Sequence, residues 1–288
     1  LENLATTAFK IREIPEIPAM PVAAQQILGL LSDDDIVMSK LVKIIDTDPA
    51  LTARIIGIAN SAFFGCREGI YSIQDAITRV LGINTVTSIA LSIFLSGPFK
   101  SIKCPEFDQK GFWVTSLLTA TLARRILPHS KLLSKYNQEQ IYLSGLLHNF
   151  GLLVLVYAFP AKVAQILSLT NFEKASTTAE LECRTIGINR FQAGAILTHK
   201  WHLPKEVVAM IEHHNNPQYK GEHSGVALLI GACSELAQQI YRNLDADESN
   251  ISVLEKLDVI PEKTAVAIDA VKNSLEEITS LADRFTAD

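Results

Sequence analysis

The sequence predicts an all-α fold, and three observations carry that expectation. Helix-start signals recur along the 288 residues, alternating apolar and polar strand patterns are scarce, and the longest apolar run, Leu143 to Phe159, has helical length. A hydrophobic content of 48% and a mean hydropathy of +0.20 supply enough apolar side chain for a large core.

Taken in order, the first clear start is Asp48-Pro49, a capping side chain before a proline suited to the first helical position; Leu51, Ile55, Ile58 and Ala62 follow at helical spacing. Ser72 to Asp75 resembles a capping box, with Ile73, Ala76, Ile77 and Val80 periodic behind it and Gly82 placed to end the turn. Asn137 with Gln140 starts the helix that carries the apolar run. Breaks rich in Pro, Gly, Ser, Asn or charge fall at 96–107, 127–137 and 213–225, so the chain divides into about a dozen helices. No internal repeat or low-complexity segment interrupts them.

The run at 143–159 is marginal in length for a membrane span, and His148 and Asn149 at its centre would be costly in lipid, so it reads as a buried helix. Leu1 to Lys10 has no basic segment followed by an apolar core, so no secretory leader is expected there. Cys66, Cys104, Cys183 and Cys233 are widely spaced and form no C-x-x-C pair, which fits a reducing cytoplasm and excludes a disulfide framework or zinc ribbon. A net charge of −5 and a pI near 5.8 exclude bulk nucleic-acid coating and disfavour a DNA regulator built on the N-terminal helices.

The last segment differs in charge: residues 245–288 carry 11 acidic and 4 basic side chains, residues 1–244 carry 20 acidic and 22 basic. Within this acidic tail Thr264, Ile268, Val271, Leu275, Ile278, Ala282 and Phe285 recur in steps of four and three, the spacing of a helix seam. A terminal helix docked on its own domain is the expected reading; a homodimer through this C-terminal helix is the alternative.

Several single features carry little. His199 and His202 are three apart on a helix end, with Trp201 expected to pack inward. His129 and His223 fall in polar loops and read as solvated. Gly65, Gly82 and Gly151 read as turn or helix-end glycines, because no phosphate-cradling glycine string exists.

An ordered set of motifs runs along the chain. In the first half these are IPEIPAMPVAAQQILGLL (14–31), IIDTDPALTARIIGIANSAFFG (44–65) and YSIQDAITRVLGINTV (71–86). In the second they are FWVTSLLTATLA (112–123), YLSGLLHNFGLLVL (142–155), IGINRFQAGAILTHKWHLP (186–204) and IEHHNNP (211–217). Together they resemble the HDOD family, a degenerate branch of the HD-domain phosphohydrolases. The resemblance implies an N-terminal lead over 1–13, an N-terminal helical half over 14–107, an HD-like helical bundle over 108–217, and C-terminal helices with the acidic tail over 218–288. It also implies a regulatory, non-catalytic role.

The residues weigh that second implication independently. An HD hydrolase needs histidine nitrogens and aspartates whose charge offsets divalent ions. By the resemblance, Thr115 stands at the first histidine position, Asn149 replaces the aspartate paired with His148, Arg190 replaces a further histidine, and Cys233 matches the last aspartate; Leu152 replaces the signature lysine. His148, His213 and His214 survive as recognisable ligands. Asn149 offers a carbonyl oxygen without charge, and a permanent guanidinium at Arg190 repels a divalent ion.

Two site hypotheses follow. His148, Cys233 and one of His213 or His214 would form a soft, zinc-like centre. Arg190 with Thr115, Asn149 and His148 would hold a phosphate in the former metal cavity, unless Arg190 pairs with an acidic neighbour. The expectation is a cytoplasmic, cofactor-free signalling module that acts as an interaction or output platform for other signalling proteins and takes a phosphate-containing small ligand, with no membrane association. The alternative is a divergent phosphohydrolase dependent on a divalent metal. With no receiver, cyclase or kinase motif in the chain, the signal is expected to arrive through a separate protein.

Overall fold

The computed structural model describes residues 17–31, 37–66, 68–100, 104–169, 175–245 and 248–286. The lead and residues 14–16 of the first motif lie outside them. Every regular element among the described residues is helical. The N-terminal half holds α1 (Val22–Leu31), α2 (Met38–Asp46), α3 (Pro49–Ala59), a helical turn at Ile73–Asp75 that widens into a π-helical turn over Ala76–Leu81, and α4 (Ile83–Ser96). The HD-like half holds α5 (Gln109–Ile126), α6 (Gln138–Leu147), α7 (Phe150–Ala158), α8 (Pro160–Leu169), α9 (Ala175–Thr185), α10 (Arg190–Lys200) and α11 (Lys205–His213). The C-terminal part adds α12 (Ser224–Tyr241), α13 (Glu248–Glu255), α14 (Pro261–Asn273) and α15 (Leu275–Thr286).

The starts follow the capping chemistry. Asp48 accepts from the Leu51 amide at 3.1 Å, Ser72 from the Asp75 amide at 3.0 Å, and Asn137 and Gln140 close a reciprocal box at 2.8 and 3.0 Å. Helix α3 stops short of Ala62. Asn60 turns back, its amide donating to the Ile70 carbonyl at 2.8 Å and its carbonyl accepting from the Ile70 amide at 2.9 Å. This two-point clasp pins the loop and leaves Ala62–Phe64 as a separate 3-10 turn.

The apolar run forms two helices, α6 and α7, with the break at His148 and Asn149. Gln138–Ala158 is long and apolar enough to cross a membrane, but most of it is buried inside this protein, so its hydrophobicity matches a core position. The break sets α7 across α10, and Gly151 makes the crossing close: a Cβ there would overlap the Arg190 carbonyl oxygen. Gly151 thus lies at a helix end, as its sequence context suggested, and is also the point of close helix crossing.

The acidic tail is docked on its own chain. Thr264, Ile268, Val271, Ile278, Ala282 and Phe285 are buried, and the seam divides at Ser274 into two helices packed on α5. Phe285 meets Trp113 at 4.7 Å between ring centroids, Lys110 pairs with Asp283 at 2.8 Å, and Arg284 lies along α3 at Gly57. These apolar positions pack inside one chain, as a helix docked on its own domain requires. The two halves also meet where Lys200 Nζ and Trp201 Nε1 donate to the carbonyls of Ile17 and Pro18 at 2.7 and 3.0 Å.

Candidate functional site: a neutralised cavity in the helical bundle

His148 ends α6 inside the bundle, 3% exposed. Its Nδ1 lies 2.7 Å from the Gly145 carbonyl oxygen, an acceptor, so Nδ1 carries the proton and Nε2 is left as the acceptor. That acceptor is taken by Ser234 of α12, whose hydroxyl donates across 3.0 Å. Burial, reinforced by the charge of Arg190, lowers the His148 pKa to about 4, so the ring is uncharged at neutral pH.

His214 follows directly after α11 and meets His148 edge to face at 5.4 Å between centroids. Its Nδ1 donates to the Met210 carbonyl at 3.0 Å. Burial, and then the neighbouring His148 and Arg190, bring its pKa down to about 3. Gly231 of α12 lets this end of α11 approach, since a Cβ there would overlap the His214 carbonyl oxygen.

Arg190 opens α10, and its charge is answered within the fold. Its Nε and NH2 lie 2.8 and 2.6 Å from Glu182 Oε1, and its backbone amide donates to Glu182 Oε2 at 2.8 Å. Glu182, on α9, is 1% exposed. This is a buried, multiply bonded ion pair, worth much more than a surface pair when one partner is removed. Sequence reading missed Glu182 because eight residues and a turn separate it from Arg190.

These groups surround a cavity of about 310 Å³ that Asn149, Phe191, Gln238 and Asn250 also line. A cleft of about 290 Å³ adjoins it and shares Asn149, Arg190 and Gln238. Thr115 faces that cleft, with its hydroxyl donating to its own helix at the Gly111 carbonyl, 2.8 Å away.

The site differs from both sequence hypotheses. The zinc-like set does not assemble. His213 points to the other side of α11, where it stacks on Tyr219 at 3.8 Å beside His199, His202 and His223 in a separate groove. Cys233 is fully buried, its thiol pushed up by burial, and the neighbouring Ser234 takes the place against His148. Among the described residues no group of three or more His, Cys, Asp or Glu side chains could hold a metal ion. The phosphate set of Arg190, Thr115, Asn149 and His148 lacks a free positive charge, because Glu182 neutralises Arg190. His223 also departs from the solvated expectation, with its Nδ1 2.8 Å from the Tyr136 hydroxyl oxygen, whereas Trp201 packs inward as expected.

The donor set does not fit the divalent metal of an HD hydrolase. Both His148 nitrogens are committed, and the neighbouring carboxylate Glu182 is held by Arg190.

The fold, the break at His148-Asn149 and the order of the motifs agree with one family model, that of the HDOD domain, which matches residues 17–217. The chain belongs to the HDOD family. An HDOD domain protein of unknown function from Geobacter sulfurreducens has a similar structure, with a TM-score of 0.79 at 22% identity over 99% of this chain and 98% of its own. A protein of Marinobacter aquaeolei VT8, provisionally named a signal transduction protein, superposes with a TM-score of 0.82 at 25% identity, covering 98% of this chain and 66% of that one. An uncharacterised Treponema pallidum protein is 26% identical over 249 residues, 84% of this chain and 45% of that protein. This HDOD chain thus spans about half the length of the curated relative it matches.

Proposed function

We propose that this HDOD chain is a non-catalytic regulatory module whose degenerate HD bundle serves as a binding and output platform for signalling proteins. One observation carries the reading: where a hydrolase would hold its metal, no group of three or more His, Cys, Asp or Glu side chains comes together among the described residues, and the guanidinium there is already paired. His148 is neutral and bonded at both nitrogens, His214 is neutral, and Arg190 and Glu182 cancel. A phosphoryl transfer catalyst needs uncompensated positive charge, from a metal or a free cation, at the transferring group. The cavity offers none.

The test is metal content by plasma mass spectrometry of protein purified without chelator, beside a phosphatase and phosphodiesterase screen with added Mg, Mn, Zn and Fe. The expected result is no stoichiometric metal and no turnover above background. Near-stoichiometric metal together with hydrolysis abolished by His148→Ala would replace this reading with that of a divergent phosphohydrolase.

A further inference from the structure

We propose that the cavity at His148 binds an uncharged, planar nitrogen heterocycle of nucleobase or nucleoside size. The inference rests on the reading of this cavity as a metal-free binding site. Its motivation is a set of polar groups with no internal partner. Asn149, Gln238 and Asn250 are each half-buried on the wall, and their carboxamides make no side-chain hydrogen bond among the described residues. A primary carboxamide presents a donor and an acceptor in one plane, the complement of the ring N and N–H edges of a heterocycle. His214 adds a neutral imidazole: with Nδ1 committed to the Met210 carbonyl, Nε2 remains as an acceptor.

Phe191, Leu228 and Val253 form apolar parts of the same wall, so the cavity has surfaces for ring faces as well as ring edges. Its charge selects against anions. Arg190 is neutralised by Glu182. A phosphate would meet neutral imidazoles and a guanidinium that is already paired. A divalent cation would find one open imidazole nitrogen, His214 Nε2, because His148 Nε2 is taken by Ser234, and no set of three ligand side chains around it among the described residues. An uncharged ligand with several hydrogen-bonding edges meets neither penalty. The volume of about 310 Å³ is at the small end for ligand pockets and suits one fused ring system.

The experiment is isothermal titration calorimetry on the full chain with adenine, hypoxanthine and inosine, set against inosine 5′-monophosphate and inorganic phosphate. At least one uncharged probe is expected to bind with a Kd below about 1 mM, and the monophosphate at least about tenfold more weakly than inosine. Gln238→Leu or Asn250→Leu, each checked for an unchanged denaturation midpoint, is expected to weaken binding at least about tenfold. No binding by any of the three uncharged probes would overturn the proposal. So would equal or tighter binding of the monophosphate or of phosphate alone, or full affinity in both variants. A metal-free protein that binds none of the probes refutes this inference and leaves the non-catalytic reading standing; stoichiometric metal refutes that reading first.

Discussion

His213 and His214 are consecutive, yet the two sides of α11 on which they lie have opposite character. His214 faces inward, is 8% exposed and sits between the rings of His148 and Phe191 in the neutral cavity. His213 faces outward into a groove with three other histidines, stacked on Tyr219 and 3.7 Å from Glu212. One residue of helix is a rotation of about 100°, which moves a side chain from one environment to another. The lesson concerns the metal question: a His-His pair in sequence supplies at most one ligand to an interior site. The inward member here keeps one open nitrogen, Nε2, but no set of three His, Cys, Asp or Glu side chains gathers around it among the described residues.

The contrast between an interior whose charges are paired and an open groove can be broken most sharply at the buried Arg190–Glu182 pair. Glu182→Ala leaves the Arg190 guanidinium buried and unanswered, and is expected to cost about 3–5 kcal/mol of folding stability in chemical denaturation. Replacing both residues by leucine should recover most of that loss. A Glu182→Ala cost no larger than that of a surface substitution would show that solvent already screens the pair.

Acid should act next. His148 and His214 have folded pKa values, about 4 and about 3, below the ordinary value of 6.5. The unfolded chain therefore takes up protons first as pH falls. Their contribution is fully present above about pH 6.5 and is lost progressively toward pH 4, with His214 continuing toward pH 3. Each ring contributes up to about 1.4 kcal/mol per pH unit within its window. Denaturation midpoints between pH 4 and 7 should show this slope, and His214→Asn should reduce it; an unchanged slope would place the acid sensitivity elsewhere.

Gly151→Ala comes third. The added methyl meets the Arg190 carbonyl and must push α7 from α10, at an expected cost of about 1–3 kcal/mol. A neutral result in thermal unfolding would mean that the crossing can open. His213→Ala should be the mildest change, within about 0.5 kcal/mol, because the ring lies in an open groove and its loss uncovers no core. A cost comparable to that of Gly151→Ala would show that the outer groove also bears structural load.

Much of the fold was legible because capping is local chemistry. Asp48, Ser72 and Asn137 start helices with the bonds their side chains predict. The site was legible only in part. Asn149 could be read as the loss of a carboxylate, but the answer to Arg190's charge lay on another helix, and only packing brings Glu182 to it. Ser234, not Cys233, meets His148: the two are about 100° apart on α12, and only the helix's rotation, set by its contacts with α5 and α11, decides which faces the ring. The break inside the apolar run was hidden for a similar reason. It goes with the crossing of α7 over α10, a long-range contact whose local trace is Gly151.

A His148 cavity with no place for a divalent ion is tested directly by electron paramagnetic resonance of free Mn²⁺ during titration of the full chain, with His148→Ala alongside. The expected result is no His148-dependent site with a Kd tighter than about 1 mM. A stoichiometric Mn²⁺ site present in the parent chain and lost in His148→Ala would contradict it.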